Sequence, residues 1–137
     1  MPTKRPVFVS GISILYFLSA GWVLLSSFLL YSGTIPLSGE QKAYFSSLTI
    51  FDYATSVLLV TLKLSGAVLL FLLRKRAISF FIAAFGLELV TTIYHIVAKN
   101  WIGAIGRPGM FGMVAGWTMS VAVIIYLRRL SAQKILT

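Results

Sequence analysis

Apolar residues in this chain fall into four long runs, and polar positions are confined to the gaps between them and to a few places inside them. The runs cover about residues 7–31, 53–73, 77–97 and 110–127. A hydrocarbon core of roughly 30 Å takes about 20 helical residues at 1.5 Å each, so every run is about long enough to cross it. The pattern predicts an all-α fold: a single four-span domain over residues 1–137, built as an integral membrane four-helix bundle.

The gaps carry their own signals. Ser38-Gly39-Glu40-Gln41 has the spacing of a capping box, in which the first side chain accepts from a backbone N–H three residues on and the last reaches back. It predicts a short amphipathic helix in the external loop, with Tyr44, Phe45 and Leu48 on one face. Thr49-Ile50-Phe51-Asp52 repeats the spacing before the second span and sets the Asp52 charge in a first helical turn, where the macrodipole favours it. Arg74-Lys75-Arg76 makes a tight turn between the second and third spans. Arg107-Pro108-Gly109 reads as a turn and helix start before the fourth, with a re-entrant segment over 103–109 as the alternative.

Composition narrows the class. With 58% hydrophobic residues, 11% charged residues and a mean hydropathy of +0.94, the chain is a poor soluble domain and a good multi-pass membrane protein. Its net charge of +9 is unevenly placed. Lys4, Arg5, Arg74, Lys75, Arg76, Arg128, Arg129 and Lys134 fall at one side of the predicted layer, against Lys42, Lys99 and Arg107 at the other. The positive-inside rule then predicts both termini in the cytoplasm, with a bacterial inner (cytoplasmic) membrane as the expected location. Cations grouped at helix ends suit anionic lipid and leave no basic surface for nucleic acid. Lys4 and Arg5 before an apolar run imitate a secretory signal, but the run is too long and ends in no A-x-A site, so the first helix is expected to be retained. There is no cysteine, one histidine and three carboxylates, which leaves no thiol chemistry and no set of residues for a metal; no cofactor is expected.

Charged residues inside the runs are the candidate chemistry. Lys63 lies 12 residues before Lys75 and Glu88 lies 13 after it, so in a helical hairpin both rise about 18–20 Å from the turn. Asp52, Thr55, Ser56 and Lys63 share one helical face, and Glu88, Thr91, Thr92 and His95 share one on the next span. Two acid–base pairs are expected to stack, Lys63 with Glu88 and His95 near Asp52. An unpaired charge at such depth costs roughly 2.5–3.5 kcal/mol, so intramembrane ionisable groups pair or face a cavity. On the fourth span Gly112, Gly116 and Ser120 form a small-xxx-small run suited to close helix approach, either against Ser13, Ala20, Gly21 and Ser27 of the first span or between subunits.

Three readings of function follow. The first is a small accessory or scaffold subunit that binds other membrane proteins, or a second copy, through Gly-rich helix faces. The second is a proton- or cation-coupled transporter or channel that works as an oligomer, with Glu88 exchanging the ion, Lys63 tuning it and His95 relaying outward. The third is a lipid-modifying isomerase using Glu88 and His95, which no nucleophile, phosphate-loop or metal motif accompanies.

Overall fold

The structure is a computed structural model that describes residues 6–136. The described residues form five helices and no strand: α1 (Val7–Tyr31), α2 (Gly39–Ser46), α3 (Ile50–Phe71), α4 (Ala77–Lys99) and α5 (Trp101–Ala132). All but α2 are long and apolar enough to span a membrane. Helix α1 packs on α3, α3 on α4, α4 on α5, and the short α2 sits against α5.

Helix ends follow the local sequence. Both capping boxes form: Gln41 N–H donates to Ser38 Oγ at 3.3 Å while Ser38 N–H donates to Gln41 Oε1 at 3.0 Å, and Thr49 pairs with Asp52 in the same way. The second box starts α3 at Ile50, three residues ahead of the apolar run. The turn after α3 closes as a Schellman motif, with Arg74 N–H on Leu69 O and Leu73 N–H on Leu70 O, both 2.8 Å. Leu73 takes the left-handed conformation there, φ 57°, where glycine is usual.

The chain between α4 and α5 departs from helix at Asn100 and again at Gly106, directly before the helix start expected at Arg107-Pro108-Gly109. Asn100, at φ 49°, ends α4, and a short helical segment from Trp101 leads to Gly106, where the backbone leaves the helical conformation. The expected irregularity falls at Gly106 (φ 61°, ψ −172°), a conformation only glycine takes freely. Pro108 follows within the first turn of the continuing helix, where its missing N–H costs nothing.

The core lies at the end of the molecule that carries the α3–α4 turn. Val9 and Tyr16 of α1, Ala67 and Leu70 of α3, Ala77 and Phe81 of α4, and Val123, Leu127 and Leu130 of α5 are buried together. The Ser13 hydroxyl donates to Ala67 O at 3.2 Å, so this buried polar group ties α1 to α3. The Phe8 ring meets Tyr126 edge-on at 6.2 Å, which joins α1 to α5 at the same end. Towards the other end the apolar side chains of α1 lie outward, Trp22 and Phe28 among them. Gly112 and Gly116 do not pack on α1. Both are exposed, with no heavy atom within 4 Å of the point where a Cβ would sit.

Helices α3 and α4 pack tightly at Gly66. A Cβ there would lie 3.2 Å from Phe81 Cε2 and 3.4 Å from Phe80 Cβ, so the hairpin has no space for a larger residue. Gly66→Leu is expected to destabilise the protein by about 1–3 kcal/mol through overpacking. Helix content followed through unfolding in a denaturing detergent tests this. An unchanged midpoint would show that the contact is looser than described.

Candidate functional site

Two charge clusters sit between α3 and α4. In the middle of the hairpin, Lys63 Nζ lies 2.9 Å from Glu88 Oε2, with the two side chains 26% and 20% exposed. No well-directed hydrogen bond reaches that carboxylate oxygen, so charge rather than hydrogen-bond geometry holds the contact.

The second cluster centres on Asp52, in the first turn of α3, which is 3% exposed. Its Oδ2 accepts from Thr49 N–H at 2.6 Å, from Thr49 Oγ1 at 2.8 Å and from the Lys99 ammonium. Its Oδ1 lies 3.1 Å from His95 Nε2. An ionised carboxylate has about four acceptor positions, and four donors meet this one. A carboxylate only accepts, so Nε2 is the donor to Asp52, and in the neutral imidazole Nδ1 is then free to take the Tyr44 hydroxyl at 2.7 Å. Burial, then the nearby Asp52 carboxylate and Tyr53 phenol, push the Tyr44 hydroxyl up to about 12, so it remains a proton donor at ordinary pH. Lys99 also donates to Ser47 O at 2.8 Å. This cluster thus ties the loop helix α2 to the α3–α4 hairpin, and Tyr44 packs on Trp101 of α5 with ring centroids 5.0 Å apart.

The remaining candidates of the polar stripe do not form a chain across the helices. Thr55 and Ser56 hydroxyls donate back to Asp52 O, each at 2.9 Å, and Thr91 donates to Leu87 O at 2.8 Å. Thr92 is half-buried on α4. A shallow cavity of about 210 Å³ opens beside the cluster, lined by Phe51, Asp52, Thr55, Val90, Thr91, Tyr94 and His95. On α5, Ser120 is buried and donates to Gly116 O at 2.9 Å, while the two glycines before it face outward.

Sequence reasoning missed Lys99 and Tyr44. Lys99 was counted only as a flanking charge, yet it follows Glu88 by eleven residues, as Lys63 follows Asp52 by eleven. Eleven residues make three helical turns, so each helix carries two charges on one face. The two ion pairs are symmetric about a single point of the turn, between Lys75 and Arg76: 12 residues separate Lys63 from Lys75 and Glu88 from Arg76, and 23 separate Asp52 from Lys75 and Lys99 from Arg76. That matched spacing was the available signal. Tyr44 had none of comparable strength, because its contact joins a loop helix to a residue 51 positions away.

No family model, curated protein or solved structure matches this chain.

Removing one partner of a buried charge pair leaves the other uncompensated, at a cost of about 3–5 kcal/mol. Lys99→Met is expected to lose that much stability, and Asp52→Asn combined with Lys99→Met to regain most of it. Unfolding of the three proteins in one detergent mixture measures the difference. Equal losses in the single and double variants would mean that Lys99 does not neutralise Asp52.

Proposed function

We propose that the protein is a small multi-pass membrane subunit, a four-helix bundle with both termini cytoplasmic, that acts as an accessory or scaffold for other membrane proteins or for a second copy of itself. The observation that carries this reading is the outward face of α5. Gly112 and Gly116 have open space beside them, and Met119, on the same side of the helix, is 42% exposed. In lipid, association is driven by close packing rather than by water exclusion, and small residues let a partner helix approach. A face of this kind on a helix that is already held by α4 on its other side is suited to receiving one more helix.

Coupled transport stands second, because Lys63 and Glu88 close on each other at 2.9 Å and a carboxylate whose charge is already neutralised has less need of an exchanged ion. The isomerase reading stands third. Glu88 is held by Lys63, and His95 by Asp52 and Tyr44, so the supposed acid–base pair is engaged with separate partners.

Gly112→Leu with Gly116→Leu tests the first reading. The wild-type chain is expected to run in mild detergent as a homo-oligomer or with co-purifying membrane proteins. The double variant is expected to keep its helix content and lose association by about tenfold or more, equivalent to roughly 1.4 kcal/mol. A variant with the same native mass and the same partners as wild type would remove the α5 face from the account.

A further inference from the structure

The α3–α4 turn holds three consecutive cations, with no side-chain carboxylate of the described residues beside them. Arg74, Lys75 and Arg76 are all exposed and, with Leu69, line a cavity of about 500 Å³. The three carboxylates of the protein lie elsewhere: Glu40 opens α2, Asp52 is taken by Lys99 at the far end of the hairpin, and Glu88 is taken by Lys63 halfway along it. Like charges held together without a counter-ion repel, so the arrangement favours an anion from outside.

The cations are also held in place. The Schellman bonds at 2.8 Å fix Leu73 and Arg74, and Ala77 N–H donates to Arg74 O at 3.0 Å, so the backbone that carries the three side chains is set before any ligand arrives. The lining is of mixed character. Leu69 forms an apolar wall, and the exposed Val68 and Leu72 continue it along the outside of α3. A cavity of this volume accommodates a small headgroup.

We propose that this turn binds an acidic phospholipid, with the headgroup phosphate among Arg74, Lys75 and Arg76 and the acyl chains passing Leu72 and then Leu69 and Val68, away from the turn. The proposal rests on α3 and α4 spanning the membrane, which brings their connecting turn to headgroup level. Free phosphate offers the same charge, but it makes no use of the apolar wall. Basic residues near an anionic surface contribute about 1 kcal/mol each, or about fivefold in affinity.

The test uses the purified full chain in neutral detergent, titrated with phosphatidylglycerol and with phosphatidylcholine of the same acyl chains, bound lipid being counted by native mass spectrometry. Wild type is expected to prefer phosphatidylglycerol by a factor of order 100, and Arg74→Gln to lose about fivefold of it. The triple change Arg74→Gln, Lys75→Gln and Arg76→Gln is expected to abolish the preference. Arg128→Gln with Arg129→Gln, at the same end of the molecule on α5, is expected to leave it within about twofold. Arg74→Lys with Arg76→Lys retains the charges and is expected to retain the preference, which separates loss of binding from loss of folding. Because the chain has no cysteine, Ser46→Cys and Gln133→Cys labelled with an impermeant thiol reagent in sealed vesicles report whether the two ends lie on opposite sides. Labelling of both from one side would overturn the placement of the turn at headgroup level. Equal binding of the two lipids, or an unaltered preference in the triple variant, would overturn the site. Equal losses from the α5 pair and the turn would reduce it to diffuse surface charge, and displacement of the lipid by inorganic phosphate would overturn the lipid as ligand.

Discussion

A charged side chain between two apolar helices must find its opposite, and the α3–α4 hairpin is arranged around that requirement. Lys63 meets Glu88 halfway along it and Lys99 meets Asp52 at its far end. The two pairs stand three turns apart on each helix and are symmetric about the same point of the turn. Sliding one helix past the other by a single turn breaks both at once. Neither pair is a source of large net stability, since desolvating two ions offsets much of their attraction. What they supply is register, because every other alignment of the helices leaves charges unmatched.

The rest of the molecule is attached to this hairpin in an uneven way. At the turn end α1 and α5 close on it through a core of Val9, Leu70, Ala77, Leu127 and Leu130. At the other end the attachment is polar: the loop helix α2 is secured by Tyr44 on His95 and by Lys99 on Ser47 O. Between these two anchors the outward sides of α1 and α5 carry exposed Phe28, Trp22, Phe111 and Val114. Such surfaces need lipid or another helix against them. The proposed roles divide along the same line, with a protein partner on the glycine side of α5 and a lipid headgroup at the basic turn.

Much of the fold was legible because its signals are local. Long apolar runs locate the four long helices, and the two capping boxes, which involve residues only three positions apart, locate the starts of α2 and α3. Opposing Lys63 to Glu88 needed only the rise per residue and the position of the turn. The kinked start of α5 was harder. Glycine and proline signal a break, but whether the chain turns or merely kinks depends on φ at Gly106 and on Asn100 accepting a left-handed conformation. The outward direction of Gly112 and Gly116 was not legible, since a small-residue spacing shows that a helix can be approached closely and not which helix approaches it.

The central claim is that Lys63 and Glu88 neutralise each other and so set the hairpin register. The most direct measurement is a double-mutant cycle of unfolding free energy in one lipid–detergent mixture, with Lys63→Leu, Glu88→Leu and both together. The pair is partly exposed, so each single change is expected to cost about 3 kcal/mol, the low end for a broken ion pair, and the double change to lie close to wild type. Losses that simply add in the double variant would contradict the account.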